Sequence, residues 1–340
     1  MDTLFIDIMG KPAWMWLAFL LLVLVLLVFD LGVFHRNSHE IGVRESLFLS
    51  AFYIGVALAF GGWVWQTMGD DAAVLYLTGF VVEKSLAMDN IFVIALIFAY
   101  FNIPRIHQRR VLLWGILGVI ILRAIMIAAG VVIIERFEWM LYLFAAFLIF
   151  SGIKMLVMGD DEYDVAQNPV LRLMQRRCRL TEELHGERFF VRKPDAKTGR
   201  MLTFVTPLFL ALVVIEFADV VFAVDSIPAI FAITTDPYII YTSNIFAILG
   251  LRALYFALAA MLHRFTYLSQ ALAIVLVFIG SKIFLADALG LTKIPPAWSL
   301  SITIGILVSG VVLSIVKAPR EEESDEAAVT SSGEADAVRR

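Results

Sequence analysis

Residues 201–233 read MLTFVTPLFLALVVIEFADVVFAVDSIPAIFAI. A run this long exceeds the roughly 20 apolar residues that carry a helix across a ~30 Å hydrocarbon core. It nevertheless holds Glu216, Asp219 and Asp225 in its interior. Residues 72–100 have the same character, with Glu83 and Asp89 inside. Seven further apolar stretches surround these two, so nine spans can be drawn: 13–34, 46–67, 72–100, 111–134, 139–158, 201–233, 239–262, 267–289 and 297–316. Of the 340 residues 61% are hydrophobic and 17% charged, with a mean hydropathy of +0.86. That composition excludes an ordinary soluble enzyme. Unbroken runs, rather than alternation, exclude a membrane β-barrel. The expected fold is an all-α membrane protein of about nine transmembrane helices.

The first run is read as a span that stays, because residues 1–12 carry Asp2, Asp7 and Lys11 rather than a basic cluster, and the run ends in Asp30, not at a small-residue cleavage site. Alternating spans place 19 Lys/Arg in the loops of one side and 3 in those of the other, with Lys84, Arg123, Lys154, Arg252 and Lys282 inside spans. The positive-inside bias then puts the N-terminus outside and the C-terminus in the cytoplasm of a multi-pass protein. The single cysteine, Cys178, excludes an intrachain disulfide and falls in the cytoplasmic loop. The net charge of −4 and the lack of an aromatic-interleaved basic patch give no sign of nucleic acid. The expected partners are the lipid bilayer, a transported cation, and proteins that could dock on the 159–200 loop.

An internal repeat orders the middle of the chain. Ala87-Met-Asp-Asn-Ile91 matches Ala223-Val-Asp-Ser-Ile227, with Glu83 and Asp219 six residues before each Asp. Leu122-Arg-Ala124 matches Leu251-Arg-Ala253, and Phe150-Ser-Gly-Ile-Lys154 matches Phe278-Ile-Gly-Ser-Lys282. Spans 3–5 and 6–8 are thus read as two three-helix repeats, inverted because three is odd. The organisation expected is 1–71 as two N-terminal helices, 72–158 as the first repeat, 159–200 as a cytoplasmic loop, 201–290 as the second repeat, 291–318 as the last helix, and 319–340 as an acidic, disordered tail.

Five carboxylates within spans cost on the order of 12–17 kcal/mol if unpaired. Buried ion pairs with Arg123, Lys154, Arg252 and Lys282 are one compensation and a bound cation another, and the roles of these bases and of Asp30 stay open. Acids at i and i+6 point about 120° apart on a regular helix, so both face one site only if the helix distorts. Pro228 frees the carbonyl of Val224. Glu216 and Asp219 share a face. Asn90 and Ser226 add an amide and a hydroxyl oxygen. The histidines fall in loops, and an oxygen-only set suits Mn²⁺, Mg²⁺ or Ca²⁺ better than zinc or copper. The candidate metal ligands are Glu83, Asp89, Asn90, Glu216, Asp219, Asp225 and Ser226. No resident cofactor and no enzymatic activity are expected. A His-Glu-x-x-His protease motif is absent, and so is a Walker A nucleotide loop.

Glu83-Lys-Ser-Leu-Ala-Met-Asp89-Asn90 and Glu216-Phe-Ala-Asp219-Val-Val-Phe-Ala-Val-Asp225-Ser226-Ile-Pro228-Ala resemble the paired motifs of the TerC family of integral membrane proteins, in its Alx-like branch. Phe189-Phe-Val-Arg-Lys193, Thr234-Thr-Asp-Pro237 and the stretch from Thr242 to Arg252 extend the likeness, which covers about residues 13–316. The resemblance implies a bacterial inner-membrane protein of the LysE-related transporter superfamily, linked with manganese export and, by name, with tellurite resistance. It carries the family's membrane acids to Glu83, Asp89, Glu216, Asp219 and Asp225. The function expected is export of divalent cations, Mn²⁺ first, coupled to protons. The competing expectation is a membrane scaffold for a stress or tellurite-resistance complex, acting through the loop and tail, in which the acids are structural.

Overall fold

Proline and short polar side chains mark where several helices of this chain begin. In the computed structural model, which describes residues 7–35, 43–137, 139–158, 165–181, 183–194, 200–258, 266–288, 295–314 and 316, Asn168 accepts from the N–H groups of Val170 and Leu171, with Pro169 next to it. Asp236 does the same for Tyr238 and Ile239 beside Pro237. Thr206 stands extended before Pro207. Proline fits a first helical position because its missing N–H would be unpaired there in any case.

A short hairpin, β1 (Asp7–Ile8) and β2 (Lys11–Pro12), leads into α1 (Ala13–His35), α2 (Val43–Met68), α3 (Asp70–Tyr100), α4 (Arg105–Arg136) and α5 (Met140–Met158). A 3-10 turn (Val165–Gln167) and α6 (Pro169–Arg177) follow, then the antiparallel pair β3 (Phe190–Pro194) and β4 (Met201–Val205) in the register Phe190↔Val205 to Pro194↔Met201. The chain continues through α7 (Pro207–Ile233), α8 (Pro237–Leu249), α9 (Leu251–Leu258), α10 (Thr266–Ala288) and α11 (Pro296–Ser314).

Of the described residues, 84% are helical. Among the described residues, seven spans are long and apolar enough to cross a membrane: α2, α4, α5, α7, α8 with α9, α10 and α11. α1 contributes a shorter apolar stretch, Ala13–Phe29. α3 is 31 residues long but misses on charge, because every 18-residue window in it holds at least three of Asp70, Asp71, Glu83, Lys84 and Asp89. Large apolar side chains face outward along α1, α5 and α11, as on Leu21, Val157 and Trp298, which suits a lipid surroundings and not water.

Two boundaries differ from the sequence reading. The sixth span does not start at 201, because 201–205 form a strand and the helix begins at Pro207. The Thr206 hydroxyl donates to the carbonyls of Arg188 (2.8 Å) and Phe189 (3.0 Å), tying the hairpin to the start of α7. The expected single helix 239–262 is interrupted at Gly250 between α8 and α9. The distortion anticipated near Pro228 does not break α7, which runs through it.

The helices pack in reciprocal pairs: α3 with α8, α4 with α7, α3 with α7, and α5 with α10. α5 and α10 meet at glycines. A Cβ at Gly152 would lie 2.6 Å from the Ala273 carbonyl oxygen, and one at Gly280 would lie 2.6 Å from that of Ala145. Beside this seam, Phe19, Phe60, Tyr76, Tyr238 and Phe246 form an aromatic core between α1, α2, α3 and α8. The Tyr238 hydroxyl donates to the Met15 carbonyl (3.2 Å).

Asp236, which caps α8, also pairs with Lys11 at 3.0 Å. Removing an N-cap carboxylate costs about 1 kcal/mol. Asp236→Ala is therefore expected to lower stability by about that amount, read from thermal unfolding of purified protein, while Lys11→Ala, which leaves the cap intact, costs less.

Candidate functional site

Arg123 reaches from the middle of α4 into the packing of α3, α7 and α8 and is 2% exposed. Its Nη1 lies 2.6 Å from Glu83 Oε1 on α3. The same nitrogen donates to Ser226 Oγ on α7 at 2.6 Å and to Asn244 Oδ1 on α8 at 3.1 Å. Its Nε faces Asp219 Oδ2 at 3.5 Å. Asn90 Nδ2 donates to the other Asp219 oxygen at 3.2 Å, and Asn244 Nδ2 donates to the Ile240 carbonyl of its own helix at 3.1 Å. Among the described residues, two carboxylates share one guanidinium in a buried place, where unbalanced charge is expensive.

The helical spacing that builds this cluster is seven residues. Glu83 and Asn90 are two turns apart on α3, and Asp219 and Ser226 are two turns apart on α7. At about 100° per residue each pair projects from nearly one line, so regular helices suffice. Of the seven residues proposed from sequence, the structure brings Glu83, Asn90, Asp219 and Ser226 together around Arg123.

The other three stand differently. Asp225 turns toward α5, where its Oδ1 accepts from Ser151 Oγ at 2.8 Å and its charge interacts with Lys154. Glu216 sits one turn before Asp219, close enough to feel its charge. Both Glu216 oxygens are buried and make no hydrogen bond among the described residues. They lie against α4 where Gly118 leaves room, and a Cβ at Gly118 would collide with the carboxylate. α3 carries Asp89, whose side chain lies outside the described residues, as do those of Asp30 and Arg252. Among the described residues, no three His, Cys, Asp or Glu side chains converge as a ready-made metal site.

A pocket opens beside the cluster. Asn90 and Asp219 line it together with Gly115, Ala218 and Ile248, and Tyr255 stands in its wall. The Tyr255 hydroxyl donates to Gln108 Oε1 at 3.0 Å. Among the described residues the lining is otherwise apolar, so an ion entering it meets side-chain oxygens at Asn90, Asp219 and Tyr255.

Two polar residues were not assigned from sequence. Asn244 is one; an amide inside an apolar span is costly unless it bonds, and that cost was the available signal. Lys84 is the other. Its ammonium is buried and donates to the Ala247 carbonyl at 3.1 Å, beside the interruption between α8 and α9. A Cβ at Gly250 would come within 2.8 Å of that nitrogen, so Gly250 leaves space for the lysine to satisfy a helix-end carbonyl. Outside the spans, Lys193 bonds Glu183 at 2.8 Å and holds its carboxyl below the usual carboxylate range.

Relatives of the chain are bacterial membrane proteins. A membrane protein of Myxococcus xanthus is 44% identical over 316 residues, covering 93% of this chain and 96% of the relative. Proteins of Salmonella typhi and Escherichia coli (strain K12), each named "Putative membrane-bound redox modulator Alx", are 44% and 43% identical over 314 residues. Each alignment covers 90% of this chain, with 94% of the first relative and 95% of the second. No solved structure matches the chain. Residues 68–323, which span every residue of the Arg123 cluster, match the Integral membrane protein TerC family, and the chain belongs to that family of multi-pass membrane proteins.

Proposed function

We infer that the protein is a secondary transporter that exports divalent cations, Mn²⁺ first, across the bacterial inner membrane in exchange for protons, and that it is not an enzyme. One observation carries the reading: Glu83 and Asp219, one from each of two corresponding helices, are buried together around Arg123, and Asp219 borders a pocket. Ionisable groups placed at membrane depth mark ion pathways. Of their partners, Ser226 and Asn244 present oxygen acceptors and Asn90 donates its amide N–H to Asp219; a site of carboxylate, amide and hydroxyl groups favours Mn²⁺, Mg²⁺ or Ca²⁺ over softer metals. Glu216 and Asp225, on either side of Asp219 along α7, add carboxylates that face α4 and α5.

The reading draws further support from the packing. If α3, α4 and α5 correspond to α7, α8–α9 and α10, the contact of α3 with α8 is the counterpart of that of α7 with α4, and both occur. The seam of α5 with α10 maps onto itself, with Gly152 and Gly280 exchanging places. Inverted repeats that meet at a midplane site are a transporter design. Orientation follows the excess of basic residues on one side, which puts the C-terminus in the cytoplasm. The redox role in the name of the Alx relatives finds no dithiol here, since Cys178 is the one cysteine in the sequence.

Cells loaded with Mn²⁺ test this directly. Cells expressing the wild-type protein should hold less Mn²⁺ by elemental analysis than cells without it, and Asp219→Asn should abolish the difference at equal protein level. Equal accumulation with and without wild-type protein contradicts the reading.

A further inference from the structure

The guanidinium of Arg123 is arranged as a cation that can be exchanged. Arginine grips a carboxylate most firmly by two parallel N–H bonds, a fork that many arginine–carboxylate pairs form. Here a single nitrogen, Nη1, is shared among Glu83 Oε1 at 2.6 Å, Ser226 Oγ at 2.6 Å and Asn244 Oδ1 at 3.1 Å. Nε stands 3.5 Å from Asp219 and makes no hydrogen bond among the described residues. Neither carboxylate is gripped by the fork.

Ser226 and Asn244 are neutral acceptors from two different helices. They would keep the guanidinium hydrogen-bonded if both carboxylates were given to another cation, so its displacement leaves no buried charge bare. Asn244 is turned for this task by its own bond to the Ile240 carbonyl. The pocket lies against the ligands: Asn90 and Asp219 line it, so an ion in the pocket meets Asp219 at its wall. The Asp219 carboxylate in the pocket wall attracts that ion, and the tethered positive charge beside it opposes its stay.

We propose that Arg123 is a tethered counter-cation that holds Glu83 and Asp219 in the empty carrier, yields them to the transported divalent cation, and rests on Ser226 and Asn244 while the ion is bound. This rests on the cation-transport reading and adds to it the means of release, since the returning guanidinium expels the ion. Arg123 is then a positioning residue that competes for the ligands instead of contacting the ion.

The test is direct Mn²⁺ binding to the purified full-length protein in detergent, with free Mn²⁺ followed by its paramagnetic resonance signal. The proteins compared are wild type, Arg123→Gln, Arg123→Lys, Asn244→Ala, Ser226→Ala and Glu83→Gln, with Mn²⁺ transport of each measured in liposomes. Arg123→Gln should bind about tenfold more tightly, because the state with free carboxylates is no longer a minor one, and should transport more slowly. Arg123→Lys, which keeps a tethered charge, should tighten less. Asn244→Ala and Ser226→Ala should bind several-fold more weakly, having removed the resting place. An Arg123 that only clamps helices gives the opposite sign, with Arg123→Gln binding more weakly than wild type, and that result overturns the proposal. Should Arg123→Gln fail to fold, Asn244→Ala and Ser226→Ala decide: weakened binding supports the proposal, and unchanged binding overturns it. Glu83→Gln separates the two levels of inference. Wild-type binding by Glu83→Gln removes the acidic site itself, and the transport reading falls with it. Loss of binding there, with no tightening in Arg123→Gln, removes only the counter-cation.

Discussion

Arg123→Gln is expected to destabilise the metal-free protein by about 3–5 kcal/mol, the cost of removing one partner from a buried ionic group. The substitution leaves Glu83 and Asp219 buried without the guanidinium that now lies 2.6 Å from the first and 3.5 Å from the second. Thermal unfolding in detergent with a chelator present measures it. Two companion results locate the cause in charge and not in lost packing. Glu83→Gln with Asp219→Asn in the Arg123→Gln background should recover much of the loss, because no buried charge is then unpaired. Mn²⁺ added to Arg123→Gln alone should also restore stability, since a ligand that binds only the folded state stabilises it by mass action. No recovery in either case would mean that the side chain matters for its shape.

The second large effect is expected at the seam of α5 and α10. Gly280→Leu places a side chain where even a Cβ would be 2.6 Å from the Ala145 carbonyl oxygen and 2.9 Å from Ile149 Cγ1. The backbone oxygen cannot swing away, so the helices must separate. Small residues are what permit such close approach in membranes, and overpacking of this kind costs roughly 1–3 kcal/mol or more. Gly152→Leu should behave alike, because its Cβ would meet the Ala273 carbonyl oxygen at the same 2.6 Å. Gly55→Leu is the control, since nothing lies within 4 Å of its added Cβ. Unfolding temperature and yield in detergent report the effect. Equal behaviour of all three variants would show that the α5–α10 contact is not tight.

Much of the site was legible from sequence because charge inside an apolar run has few explanations. Glu83 and Asp219 stood out for that reason, and both contact Arg123. The reading went astray on geometry. It looked to the Asp six residues after each acid and expected a distorted helix, whereas on α7 it is Ser226, seven after Asp219, that meets Arg123 while Asp225 turns to Ser151, on α3 Asn90 bonds Asp219, and both helices stay continuous. Asn244 was invisible to a comparison of halves: eight residues before Arg252, it corresponds to Gly115, eight before Arg123. Glu216 is the converse, since its counterpart three residues before Glu83 is Phe80. The two halves are therefore alike in their paired acids and unlike around them. At the level of the fold, hydropathy located the helices but not the ends set by local bonding. Residues 201–205 are as apolar as a helix start, yet strand pairing with 190–194 and the Thr206 hydroxyl fix them otherwise. Hydropathy was equally blind to the interruption at Gly250, where a lysine on another helix satisfies the carbonyl.

Uptake of Mn²⁺ into everted membrane vesicles, whose cytoplasmic face is outward, tests most directly whether the buried acids carry an ion. Vesicles with the wild-type protein should accumulate Mn²⁺ when their interior is acid, and vesicles with Asp219→Asn at the same protein level should not. Uptake by Asp219→Asn equal to that of wild type would contradict a transport site at Asp219 and leave the carboxylates of α3 and α7 as structural groups.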